Sequence, residues 1–303
     1  MQCTIICLFV LCCVGVASAQ QHDRKPLILQ GKLKNSPEKF LTISLYNEKD
    51  EVVFDTLYLN NQGEFFLKTY KITRPQRTDL RQNRTQIGRL YVAPGYNLHI
   101  TGDATNNSTL FKSKKISGIG AETNHYRIQR DSVYAAANDK RPWFERKPEE
   151  VMPYFKAEQS ISDSIHHSVF DRAQSKDPYF SFFKKMIDID NQSETFTSTL
   201  QFAMNNNYTM EQMRAVVDSN IPPLFAKGIS NDDYLIAEDY TRWLLPVYYE
   251  YSKKLTELGD TVAAQQPDFP LKLINRLFTG KVRASILHYT VKSQFATRFL
   301  LKR

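Results

Sequence analysis

The sequence predicts an α+β fold: an N-terminal antiparallel β-sandwich followed by an all-α helical region. Three observations predict it. Up to Gly120 the apolar residues alternate in short runs broken by turn residues, the period of half-buried strands. After Gly120 they recur at helical spacing over longer segments. A hydrophobic fraction of 42% in 303 residues is enough to fill packed cores and excludes wholesale disorder.

The strands follow in order. Leu27–Leu33 is the first. Phe40–Tyr46 is the second, with Phe40, Thr42, Ser44 and Tyr46 on one face and Leu41, Ile43 and Leu45 on the other. The polar run from Asn47 to Asp50 leads into a third, Val52–Tyr58. Asn60-Asn61-Gln62-Gly63 predicts a tight turn, because glycine adopts a positive φ without steric cost and asparagine tolerates it. Glu64–Tyr70 is then expected to return as the second arm of a hairpin. Arg74 to Arg84, with four arginines and one aspartate, predicts an exposed loop. Arg89–Val92 and Asn97–Thr101 read as two strands about Pro94-Gly95, and Leu110–Ile116 as a last one. Short strands at this regular spacing predict a sandwich, here expected over residues 24–118.

Residues 121–303 form the expected helical region. Glu122–Ala137 is its first helix. Pro148–Ser175 is a longer one, with Val151, Phe155, Ile161, Ile165 and Val169 near helical spacing; Pro148 suits the first turn, and Pro153 offers an alternative start. Asp177 is placed to cap Tyr179–Ile189. Thr209 and Gln212 form a capping box that opens Met210–Asp218. Asn231 or Asp232 opens a helix through Tyr249, and Pro270–Phe278 and Val282–Leu301 complete the set.

All four cysteines, Cys3, Cys7, Cys12 and Cys13, lie in the first thirteen residues. The chain is almost wholly apolar from Ile5 to Val16, and Ala17-Ser18-Ala19 then supplies the small residues a signal peptidase reads. This predicts a signal peptide over residues 1–19 and export to the periplasm or outer cell envelope. An uncleaved anchor is the alternative, since the first residues carry no Lys or Arg. Cleavage after Ala19 leaves a chain without cysteine. That excludes disulfides, a C-x-x-C dithiol, a cysteine nucleophile and thiolate metal sites from the mature protein.

Few residue patterns point to chemistry. Asp163, His167 and Asp171 recur four apart and would share one helical face, a carboxylate–imidazole–carboxylate stripe that zinc accepts. The plainer reading is a solvated polar face, and no metal is assigned. His99 stands alone in a strand. There is no G-x-S-x-G. Gly118-Ile119-Gly120 is followed by Thr123 where a dinucleotide fingerprint needs a third glycine. No catalytic residue and no cofactor is therefore predicted. The aromatic pairs Trp143-Phe144, Phe182-Phe183 and Tyr248-Tyr249, with Trp243, read as core.

Lys plus Arg is 40 against 32 for Asp plus Glu, a net charge of +8. Arg74, Arg77, Arg81 and Arg84 are the densest basic run and suit peripheral contact with an anionic surface; a solvated basic surface is the plainer alternative. Export disfavours nucleic acid as a partner and favours a protein or glycan of the envelope.

Three segments resemble the N-terminal DUF4369-type region of Bacteroidetes TlpA/ResA-like envelope proteins of the thioredoxin family. They are Gly31 with the strand around it, Asn61-Gln62-Gly63-Glu64-Phe65-Phe66, and Leu90-Tyr91-Val92-Ala93-Pro94-Gly95. Gly118-Ile119-Gly120-Ala121-Glu122-Thr123-Asn124 is similar to that domain's exit into a helix, and Leu277–Arg283 to a later helical element. The chain departs from the pattern at Asn60 or Asn61, where aspartate is frequent, and at Tyr96, where aspartate follows Pro-Gly.

The resemblance implies an exported accessory or binding module without redox activity of its own, since no position here matches the family's C-x-x-C. The alternative it implies is a truncated or split thiol:disulfide interchange protein whose thioredoxin domain is missing from this chain. A hydrolase with an unrecognised site in the helical part is a third reading. The resemblance also implies O-glycosylation at Thr56, Ser132, Ser164 and Thr261, each preceded by aspartate and followed by an apolar residue.

Overall fold

The computed structural model describes residues 25–48, 51–82, 85–171 and 175–300, with residues 85–87 and 292–300 described in their backbone alone. The expected signal peptide lies outside the described residues. The fold is α+β, with two antiparallel-rich sheets followed by helices. One sheet runs β4 (Glu64–Thr69), β1 (Leu27–Lys34), β7 (Asn97–Asp103), β8 (Lys115–Ile119). The other runs β3 (Val52–Tyr58), β2 (Phe40–Tyr46), β5 (Gln76–Gln82), β6 (Thr85–Val92).

The alternation predicted for these strands is what buries them. β1 turns Leu27, Leu29 and Leu33 inward, and β2 turns Leu41, Ile43 and Leu45 inward. Each such side chain removed from water contributes about 1.5–3 kcal/mol.

Pairing departs from the expectation in four places. β1 and β7 run parallel, with Leu29 opposite Leu98 and Gly31 opposite Ile100. A Cβ on Gly31 would stand 1.7 Å from the Ile100 carbonyl oxygen, so only glycine permits this approach. The Asn60–Gly63 turn forms, with the Gly63 N–H donating to Asn60 O at 2.9 Å, but it closes no hairpin. β3 stays on β2, while the Leu33 N–H donates to Gly63 O at 2.9 Å and starts β4 on β1. The turn is thus a corner between sheets, as is Pro94-Gly95 between β6 and β7.

The arginine-rich run is not an exposed loop but β5, an interior strand between β2 and β6. β2 satisfies two of its buried polar residues, Gln76 and Thr78. The Gln76 amide accepts from Tyr46 N–H at 2.6 Å and donates to Tyr46 O at 3.0 Å, and the Thr78 hydroxyl donates to Ser44 O. Finally, Leu110–Ile116 is not a strand. Asn106 caps a short helix, α1 (Asn107–Ser113), by accepting from Thr109 N–H at 2.9 Å, and β8 follows it.

The remaining α-helices are α2 (Ala121–Ala136), α3 (Pro148–Phe170), α4 (Phe180–Asn205), α5 (Met210–Asp218), α6 (Leu245–Gly259), α7 (Thr261–Ala264), α8 (Phe269–Leu277) and α9 (Gly280–Leu300). α3 begins at Pro148, runs through Pro153 and stops five residues short of the expected Ser175. α4 runs well past the expected Ile189. α5 has the predicted bounds and the predicted capping box. Asn231 caps a 3₁₀ turn at Asp232–Ile236 rather than a long helix, and a π-helical turn at Tyr240–Leu244 precedes α6. The Leu245 N–H donates to Tyr240 O, the bond that widens this turn, and Pro246 follows in the first turn of α6.

The described residues form two compact units. The first comprises those up to Asn138 with Ser168–Phe183, so α2 belongs with the sheets and the unit exceeds the expected 24–118. The second comprises Asp139–His167 with the residues from Lys184 onward. Its core includes Phe196, Phe225 and Tyr240 in a near-parallel stack, with centroid separations of 5.8 and 6.1 Å.

Candidate functional site

The predicted metal stripe does not assemble. On α3, Asp163 accepts from the Gln159 amide at 2.6 Å, and His167 is exposed. Its neighbour His166 is buried, with Nε2 3.0 Å from Lys184 O. Asp171 follows the helix end and falls in the first unit, whereas Asp163 and His167 belong to the second. Among the described residues no three His, Cys, Asp or Glu side chains are grouped to hold a metal ion.

The four arginines do not form one exposed patch. Arg77 is buried in β5, Arg81 pairs with Asp79 at 3.2 Å, Arg74 is exposed, and Arg84 lies outside the described residues. His99 is exposed on β7. Thr56, Ser132, Ser164 and Thr261 are all exposed. Gly118 and Gly120 serve packing: the Tyr96 ring lies against Gly120, whose φ is 94°.

Two buried polar clusters in the first unit were not legible as sites. In one, Asp177 accepts from the Tyr96 hydroxyl at 2.6 and 2.7 Å, from Thr123 Oγ1 at 2.6 Å and from Tyr179 N–H at 2.9 Å. Burial first, and the facing Asp177 carboxylate second, push the Tyr96 hydroxyl far above the ordinary phenol range. In the other, Lys114 Nζ pairs with Asp131, and Arg127 Nε lies 2.8 Å from the same carboxylate. Burial draws the Lys114 amine down while Asp131 opposes it. Asn124 on α2 adds a third link, accepting from Tyr91 N–H at 3.0 Å and donating to Tyr91 O at 2.8 Å. These contacts tie α2, Asp177 and Tyr179 to the sheets.

Among the described residues, a cleft of about 510 Å³ lies between the β1–β2 and β3–β4 turns. Lys34, Asn35, Ser36, Glu38 and Lys39 line one side, and Asn60, Asn61 and Gln62 the other. The walls are pinned by their own hydrogen bonds. Asn35, at a φ of 54°, donates to Asp103 at 3.0 Å. Ser36 Oγ donates to Glu38 O at 2.9 Å and accepts from Gln82 at 2.8 Å. Asn60 Oδ1 accepts from Gln62 N–H and Glu64 N–H, both at 2.9 Å. By contrast, the side chains of Glu38, Lys39, Asn61 and Gln62 make no hydrogen bond among the described residues. Free amide, carboxylate and ammonium groups thus line one cleft. Such a mixture of donors and acceptors suits a ligand rich in hydroxyl groups. The turn at residues 60–63 was visible in the sequence, but its meeting with residues 34–39 depends on the sheet pairing and left no local signal.

No protein-family model matches this chain, and no curated protein or solved structure matches it either.

Proposed function

We propose that this chain is a non-catalytic binding module of the cell envelope, exported through its N-terminal segment, whose cleft holds a glycan. One observation carries the reading: the pinned cleft presents the unengaged side chains of Glu38, Lys39, Asn61 and Gln62. The A-x-A run at Ala17–Ala19 supports export, and the resemblance to the DUF4369-type region supports an accessory role beside a separate catalytic domain. With every cysteine before Ala19, the mature module would carry no dithiol chemistry.

Isothermal titration against a panel of bacterial envelope polysaccharides and peptidoglycan fragments tests the ligand class. Replacing Asn61 and Gln62 together by alanine is expected to weaken binding by about fivefold to a hundredfold, at about 0.5–1.5 kcal/mol per lost hydrogen bond. Equal binding by the double variant, or no binding by any glycan, sinks the glycan reading. Reduction of insulin by the purified mature chain would sink the claim that it lacks redox activity.

A further inference from the structure

We propose that Ser193 and Thr197 of α4 hold a buried water molecule against the π-helical turn at Tyr240–Leu244. Both residues are buried, and Ser193 Oγ and Thr197 Oγ1 have no hydrogen-bond partner among the described residues. A helical hydroxyl has a ready local acceptor in the carbonyl one turn back. Thr199, also buried on α4, uses it and donates to Thr195 O at 3.0 Å. Ser252 and Thr256 on α6 do the same, at 2.8 and 3.0 Å. Ser193 and Thr197 leave theirs unused. Burying a hydroxyl without a partner is costly, and native interiors meet such groups with ordered water where the protein offers nothing.

Four residues apart, the two hydroxyls share one stripe of α4 with Asp190. Contacts along α4 show what lies beside that stripe. Asp190 accepts from the Asp239 N–H at 2.7 Å, at the foot of the π-turn. Phe196 meets Tyr248 at a centroid separation of 6.4 Å, and the Lys254 ammonium donates to Met204 O. α4 and the segment from Asp239 to Lys254 therefore run side by side in the same direction. The stretch from Asp190 to Phe196, which holds Ser193, is level with the stretch from Asp239 to Tyr248, which holds the π-turn and Pro246. Thr197 adjoins it.

That turn is short of donors. The Leu245 N–H goes to Tyr240 O, five residues back, and Pro246 brings no N–H to the carbonyls behind it. The π-turn thus offers acceptors, and α4 offers two hydroxyls that can each donate and accept. A buried water needs about two to four polar partners, which these groups supply. A water inserted beside a broken stretch of helical ladder is a recognised way of meeting its orphaned groups.

A high-resolution crystal structure of the full chain is expected to show a water within hydrogen-bond distance of both Ser193 Oγ and Thr197 Oγ1. Urea unfolding gives a second readout, in which the sign decides. Thr197→Val keeps the side chain's shape and removes its hydroxyl, and Ser193→Ala removes the other. With a shared water, each variant is expected to lower the folding equilibrium constant about threefold to tenfold, and the double variant by clearly less than the product of the two. With no water, Thr197→Val raises that constant instead, because an unbonded polar group leaves the interior. Such a rise, independent effects of the two variants, or electron density that turns the hydroxyls onto Ile189 O and Ser193 O overturns the proposal.

Discussion

The Tyr96 hydroxyl reaches both carboxylate oxygens of Asp177, at 2.6 and 2.7 Å, across 81 residues of chain. Tyr96 closes the corner into β7, and Asp177 precedes α4. This contact and the Thr123 hydroxyl anchor the 168–183 segment within the first unit. Tyr96→Phe keeps the ring and removes one donor from a buried carboxylate. A hydrogen bond to a charged group is worth about 1.5–3 kcal/mol, and urea unfolding followed by circular dichroism should show a loss of that size. A change below about 0.5 kcal/mol would mean that water or Thr123 replaces the phenol.

Lys114 and Asp131 form a pair whose side chains are 4% and 1% exposed. Lys114→Met leaves Asp131 buried with Arg127 as its remaining basic partner. Removing one member of a buried pair costs about 3–5 kcal/mol. The double variant with Asp131→Leu removes the unpaired anion but leaves the Arg127 guanidinium without its carboxylate, so it should recover only part of that loss. A double-mutant cycle in urea measures both, and additive losses would show that the two groups are not coupled.

Gly120 begins α2 at a φ of 94°, and a Cβ there would stand 2.3 Å from Tyr96 Cδ2. Gly120→Ala is therefore expected to destabilise through strain and through displacement of the Tyr96 ring from Asp177. If so, its effect should be far from additive with that of Tyr96→Phe. Additive effects in thermal unfolding would separate the glycine from the network.

Tyr240 and Tyr251 are pushed up to about 12, in both cases by burial. A folded-state value above the ordinary 10.0 means that the folded state holds these protons more tightly than the unfolded state does. Their contribution to stability is present in full below about pH 10 and is lost as pH rises towards about 12. Unfolding free energy measured at about pH 9 and about pH 11 should fall, together with a late phase of phenolate absorbance near 295 nm that Tyr240→Phe reduces. An early, single-phase titration of all tyrosines in the folded protein would contradict the burial argument.

Local signals were read well and non-local ones poorly. β2 and β3 have the predicted bounds because alternation and flanking turn residues lie within the segment itself. α5 has its predicted bounds and cap because Thr209 and Gln212 are three residues apart. β5 was missed because Arg77 and Thr78 look like surface residues until Ser44, 34 residues away from Thr78, supplies the acceptor. The Asp163, His167 and Asp171 stripe failed for a related reason. Helical spacing placed them on one face, but α3 ends at Phe170, before Asp171.

Periodicity, turn chemistry and the clustering of every cysteine before Ala19 set the α+β class, the order of most elements and the expectation of export. They are properties of neighbouring residues, and neighbouring residues suffice to express them. The parallel pairing of β1 with β7, the corner at Asn60–Gly63, the buried Asp177 and Asp131 clusters and the cleft were decided by tertiary structure. Each depends on which surfaces exclude water together and which distant donor meets which buried acceptor. No sequence window contains both partners of such a contact.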